Sequence, residues 1–285
     1  MSRKHVLLSL VLAAVLWPLP REAPAAEPAK SGVDLRRQVN LAGRQRMLSQ
    51  QIVMMLCMAH QGVKPAETGA AARVAIRDFD RVLKGLRHGD ADLGLPVETH
   101  PDVLRHLAAV ETLWPQFRGR AQAVSDAAGL AELRAIAPDI VARMNDAVQA
   151  ISASGTTGEN AELSKVVDVA GRQRMFLVRI AMETCLGAAG IDVEAERARA
   201  AASMDVFETS LAQLREGDSA AGIIAPPVWE IEAMLELVHA DWLKMKDLIR
   251  QAQAAGDAAV LNSLLEQTQK TLANMNETVW MYENL

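Results

Sequence analysis

Aromatic side chains are scarce in this 285-residue chain, at 4 % with a single tyrosine, so a core must be aliphatic, built from Leu, Ala, Val and the 13 Met. No window alternates apolar and polar residues over a strand's length, which excludes half-buried sheet. The six histidines, His5, His60, His88, His100, His106 and His239, have no paired metal spacing and no nucleophile nearby. There is no His-Glu-x-x-His, no Cys-x-x-Cys and no glycine-rich phosphate loop after a strand, so neither catalysis, a metal nor a cofactor is expected. A basic excess is missing too: 30 Lys and Arg face 35 Asp and Glu, a formal charge of -5 that argues against nucleic acid as a partner.

Long apolar runs are absent except at the start, "MSRKHVLLSLVLAAVLWPLPREAPAA". Arg3 and Lys4 precede an apolar stretch from Val6 to Trp17, and small residues follow at a cleavage position after Ala25 or Ala26. Residues 1–26 therefore read as a secretory signal peptide, with an uncleaved anchor as the alternative. Removing them takes away three basic residues and one acidic one, leaving -7 from -5, and predicts a mature chain in the periplasm.

What the chain does have is a repeat. "AGRQRM" at Ala42–Met47 returns unchanged at Ala170–Met175, and the offset of 128 residues also superposes Val39 on Val167, Cys57 on Cys185, Phe79 on Phe207 and Trp114 on Trp242. With three more residues of shift, "RMNDAV" (Arg143–Val148) matches "NMNETV" (Asn274–Val279). This is a tandem duplication. Apolar periodicity gives four helices per unit, at about 34–61, 66–87, 101–123 and 130–151, then 161–189, 193–215, 227–253 and 257–284. The expected organisation is all-α: two four-helix units, 27–152 and 161–285, joined by a Gly/Ser/Thr-rich linker at 153–160 and packed about a pseudo-twofold axis.

The first helix of each unit carries two apolar seams, and the second holds Val39, Ala42, Gly43, Arg46, Gln50, Val53 and Cys57, or their counterparts through Cys185. A mid-helix glycine costs roughly 0.5–1 kcal/mol relative to alanine, so Gly43 and Gly171 are expected to admit another backbone or a small ligand. Arg46 and Arg174 lie one turn on, on the same face, whereas Arg44 and Arg172 point elsewhere. Across a pseudo-twofold axis the two face each other. At about 8 Å and an effective dielectric near 20 they repel by roughly 2 kcal/mol, and a small planar oxyanion between two guanidinium forks would relieve that. The competing expectation is that each is closed by an Asp or Glu from a neighbouring helix.

These residues resemble the N-terminal sensor module of type IV pilus methyl-accepting chemotaxis transducers (PilJ-type), itself related to the periplasmic sensor domain of NarX/NarQ-type nitrate/nitrite sensor kinases. In that family a first-helix motif, Ala-Gly-x-x-Arg-Met, contributes to a nitrate site at a homodimer interface. The resemblance implies ligand contacts from Gly43, Arg46, Gly171 and Arg174, with one chain supplying both halves. It also implies a sensory role and, as partner, a membrane receptor or sensor kinase. Arg44–Gln45 and Arg172–Gln173 stand where the nitrate-sensing version has uncharged residues. A helical interaction module that docks on such a complex without a small ligand is the alternative.

Met54–Cys57 and Met182–Cys185 form a repeated Met-x-x-Cys, with Met58 and His60 beside the first. Three chemistries are open to it: plain core, a Cu(I) site of soft sulfur ligands, or a Cys57–Cys185 disulfide in an oxidising compartment.

Overall fold

The computed structural model describes residues 32–155 and 159–285. The expected signal peptide and the middle of the expected linker lie outside the described residues. Among the described residues eight α-helices dominate: α1 (Gly32–His60), α2 (Pro65–His88), α3 (Pro101–Ala123), α4 (Ala127–Ala153), α5 (Glu159–Ala188), α6 (Val193–Glu216), α7 (Trp229–Ala255) and α8 (Ala258–Glu283). Local chemistry sets their ends. Asp126 and Asp257 cap α4 and α8 by accepting from the Gly129 and Val260 amides, both at 2.9 Å. Pro65 and Pro101 open α2 and α3, where a missing N–H costs nothing. The α1–α2 and α5–α6 turns share one backbone: Gly62 and Gly190 sit at φ 76° and 77°, and Lys64 and Asp192 at φ 42° and 46°. The duplication therefore extends to turn geometry.

One expectation needs correction. The loop after α2 contains a two-stranded antiparallel ribbon, β1 (Gly89–Asp90) and β2 (Leu95–Val97), with Asp90 opposite Leu95. The equivalent loop in the second unit keeps a single bridge, Asp218 to Ile223. Strands this short cannot register as alternation in the sequence. The fold class is all-α as expected.

The helices α1 and α5 pack on each other along the middle of the molecule. Beside α1 lie α2 and α4, beside α5 lie α6 and α8, and α3 and α7 complete the units against α4 and α8. Every residue of the second seam is buried on both central helices. Each unit also has its own aromatic anchor. Phe79 stacks on Trp114 at 3.8 Å between ring centroids, and their counterparts Phe207 and Trp242 lie 4.4 Å apart. The Trp242 indole N–H donates to Glu208 at 2.9 Å, and that of Trp114 donates to Asp80, the residue equivalent to Glu208. Among the described residues no helix is long and apolar enough to cross a membrane.

Candidate ligand seam between the central helices

Two contacts define the relation of the units. Cys57 and Cys185, equivalent residues, are bonded to each other with Cα atoms 6.2 Å apart, which places both on the pseudo-twofold axis. Arg46 reaches across to Asp168, and Arg174 reaches across to Asn40, which is the counterpart of Asp168 at the 128-residue offset. Reciprocal contacts of this kind are the mark of a twofold interface. Equivalent residues meeting at Cys57–Cys185, and position 40 meeting position 174, make α1 and α5 parallel. The bonded sulfurs are not available as thiolate ligands, which removes the Cu(I) reading at Met54–Cys57 and Met182–Cys185. Met58 is buried core and His60 is exposed.

Each guanidinium nitrogen of the first-unit arginine has an acceptor. Arg46, 1 % exposed, donates from Nη2 to Asp168 Oδ1 at 2.6 Å, from Nη1 to Asn145 Oδ1 of α4 at 2.9 Å and from Nε to the Gly43 carbonyl at 3.4 Å. Arg174, 3 % exposed, has the same arrangement in neutral form. Its Nη2 donates to Asn40 Oδ1 at 2.6 Å and its Nη1 to Asn276 Oδ1 of α8 at 3.3 Å, while Nε is buried without a hydrogen-bond partner. The nearest acid is one side chain removed: Asn40 Nδ2 donates to Glu283, whose second oxygen lies 3.7 Å from Arg37. Burial, and then the neighbouring charges of Arg44 and Arg46, pull the Arg174 guanidinium down to about 9, with Glu283 opposing them. The two halves thus differ in charge: a carboxylate touches Arg46, and an amide relays one to Arg174.

The glycines do something other than expected. A methyl group on Gly43 would meet Arg46 Nη2 at 3.0 Å, and one on Gly171 would meet Arg174 Nη2 at 3.3 Å. The space left by each glycine is filled by the guanidinium of its own helix, one turn on, rather than by another backbone. The helix therefore keeps "AGRQRM" because the arginine folds back over the glycine to reach across the axis. Arg44 and Arg172 face outward as expected, half-exposed and 3.5 Å from Asp78 and Asp168 respectively. The motif glutamines, Gln45 and Gln173, are fully buried; the first donates to the Leu41 carbonyl and the second to Ser210.

All four expected site residues come together at this seam. Sequence reasoning missed Asn40, Asp168, Asn145, Asn276 and Glu283. A signal existed for two of them, since Asn145 and Asn276 coincide in the matched "RMNDAV" and "NMNETV" segments. A family model described as the type IV pili methyl-accepting chemotaxis transducer N-terminal domain, PilJ, matches residues 35–140 and again residues 156–269. None of the curated proteins compared with the chain matches it. Those two matches span most of the chain, one over the α1–α4 region and one over the α5–α8 region that meet at the arginine seam, so the protein belongs to the PilJ family of chemotaxis-transducer N-terminal domains and carries two copies in tandem.

Proposed function

We propose that this protein is a non-catalytic sensory module of a chemotaxis or pilus system, exported to the periplasm, that takes a small oxyanion of the nitrate or nitrite class at the α1–α5 seam. The observation carrying this reading is Arg174. A guanidinium buried to 3 % exposure, held by two amides and unpaired at Nε, is electrostatically unsatisfied and would gain most from an anion. Family membership supports the sensory role, and the resemblance to nitrate/nitrite sensor domains supports the ligand class. The seam hands its signal through α1 and α5 to a membrane receptor or sensor kinase.

Calorimetric titration of the purified protein with nitrate, nitrite, sulfate and chloride tests this. Saturable binding of nitrate or nitrite that is lost in Arg174→Gln is the expected result. No binding at millimolar concentration ends the reading.

One observation favours a second reading. Asp168 already occupies the Arg46 half of the seam, as a structural ion pair would. In that case the module docks on its receptor without a small ligand, and the exposed Trp229 and Trp280 of the second unit, at 72 % and 57 %, offer apolar contact. The discriminating result is the stability of Arg174→Gln in anion-free buffer: unchanged or higher for a ligand site, clearly lower for a structural one.

A further inference from the structure

A cavity of about 270 Å³ opens between α1, α4 and α5, on the Arg46 side of the seam. Four arginines line it, Arg46, Arg134, Arg172 and Arg179, and no carboxylate does. Their counter-charges stand behind the walls. Asp168 serves Arg46 and Arg172, while Glu183 and Glu196 serve Arg179 and Arg134. Glu196 is shared further, at 2.6 Å, with Arg199, which also reaches Asp192 at 3.1 Å, so the four lining guanidiniums draw on three carboxylates, one of them shared with a fifth arginine. Gln50 Oε1, from a lining residue, is buried with no hydrogen-bond partner, and Arg172 Nε, buried as well, has an ion-pair contact with Asp168 at 3.5 Å but no hydrogen bond. Such groups are costly unless something completes them.

The fold does not require this charge. At the pseudo-symmetric positions, Arg179 is replaced by Gln51 and Arg134 by Leu265, while Glu183 and Glu196 become Met55 and Thr68. The other half of the molecule builds the same packing without the ionic network. Buried ion pairs are weak contributors to stability compared with apolar side chains of the same volume, so a network confined to one half points to a use beyond packing. Apart from Gln50 and Asn145, the remaining wall is apolar, made by Pro138, Val141, Ala142 and Met175. Guanidinium forks opposite an aliphatic wall suit a molecule with a carboxylate at one end and a short carbon body at the other. The volume lies just below the usual range for ligand pockets, which starts at about 300 Å³, so only a small ligand fits.

We infer that the α1–α4–α5 cavity is a second ligand site, for a small organic carboxylate. It shares Arg46 with the seam but not Arg174, so it stands or falls separately from the inorganic-anion reading. The carboxylate is held by Arg134, Arg172 and Arg179, and the chain lies against Val141 and Met175.

The test is calorimetry and thermal shift on the purified protein with acetate, propionate, pyruvate and succinate, against sodium chloride and sodium nitrate at matched ionic strength. At least one carboxylate is expected to bind saturably. Arg179→Gln, which copies the residue at position 51, and Arg172→Gln, which changes a half-exposed side chain, are each expected to weaken it by about tenfold or more. Arg174→Gln is expected to leave carboxylate binding unchanged while abolishing that of nitrate. Three results overturn the inference: no carboxylate saturating by roughly 10 mM, chloride reproducing the effect at equal ionic strength, or carboxylate binding lost in Arg174→Gln but kept in Arg179→Gln. If Arg179→Gln does not fold, Arg172→Gln alone decides.

Discussion

Replacing Asp168 with Asn would give both arginines of the seam an amide acceptor, because Asn40 already shows the amide version of the same contact at the same 2.6 Å. The shape is preserved and only the charge is removed. A hydrogen bond with one ionised partner fewer is weaker by roughly 1 kcal/mol. The lost attraction between unit charges about 4 Å apart is worth about 4 kcal/mol gross at an effective dielectric near 20. Against that, the carboxylate no longer has to be desolvated. With its side chain at 22 % exposure, Asp168 bears most but not all of a burial penalty that runs to several kcal/mol per ion. The balance is a loss of about 2–3 kcal/mol, or roughly 4–12 °C in Tm for a chain of this size. If the seam is an anion site, the variant then holds two unsatisfied guanidiniums. Nitrate at a hundredfold excess over its Kd would return about 2.7 kcal/mol. Thermal unfolding of both proteins, with and without nitrate, reads this directly. An unchanged Tm without anion, or a nitrate shift no larger than that of the unmodified protein, would refute the reasoning.

Other outcomes follow from the same geometry. Replacing Cys57 and Cys185 by Ser opens a cross-link between residues 128 apart, and the chain-entropy term for a loop of that size predicts a loss of about 5 kcal/mol in guanidinium unfolding; a loss below about 1 kcal/mol would contradict it. Gly43→Ala gains up to about 1 kcal/mol in helix propensity but displaces the Arg46 guanidinium from a 3.0 Å approach, so it should be net destabilising, and more so than Gly171→Ala, where the approach is 3.3 Å. Arg134→Leu removes one arginine from each of Glu183 and Glu196, both fully buried, while Arg179 and Arg199 stay in place, and should cost about 1.5–3 kcal/mol. Adding Glu183→Met and Glu196→Thr, the residues of the other half, should recover most of that loss in the same unfolding assay. Nitrate affinity should be level from pH 6 to 8, because Arg174 with its guanidinium near 9 stays protonated there, and should weaken above about 9, where binding requires uptake of a proton.

The architecture was legible because the duplication preserved the features that shape a backbone. Apolar periodicity set the helices, and glycines kept at the turns, Gly62 with Gly190 for instance, marked the same left-handed positions twice. The arginine seam was legible for the same reason, since six identical residues stood in both copies. Matching identical letters has a blind side, however. Position 40 is Asn and position 168 is Asp, so comparison of the copies passes over the two residues that receive the arginines. The role of the glycine was also hidden. Spacing shows that Gly43 and Arg46 share a face, but not that the arginine folds back into the gap, because that depends on the side chain's torsions rather than on its position. The network of Arg134, Glu183 and Glu196 left no trace at all. Its members lie on three helices, and a buried arginine on a helix seam has the same sequence signature as a solvated one.

Carrying both halves of a twofold seam in one chain permits a difference that two identical chains cannot sustain. In a homodimer, a change from Asp to Asn at the receiving position would occur on both sides, leaving either two compensated arginines or two uncompensated ones. Here Asp168 neutralises Arg46 directly. Asn40 leaves Arg174 dependent on Glu283, which itself occupies the position of Ser152 in the first unit. One half can then hold the two central helices together by a permanent ion pair, with the disulfide a few turns along the same axis. The other half keeps a charge that reaches its carboxylate only through Asn40, and under the anion-site proposal an external anion would improve that compensation. An anion arriving at Arg174 competes with the Asn40 relay rather than with a carboxylate, so it need not break an ion pair to bind. Its binding energy would then go into shifting α1 against α5 on one side only, about an interface pinned on the other by Asp168 and Cys57–Cys185. The asymmetry between Asn40 and Asp168 is therefore the feature on which a sensory role for this seam depends.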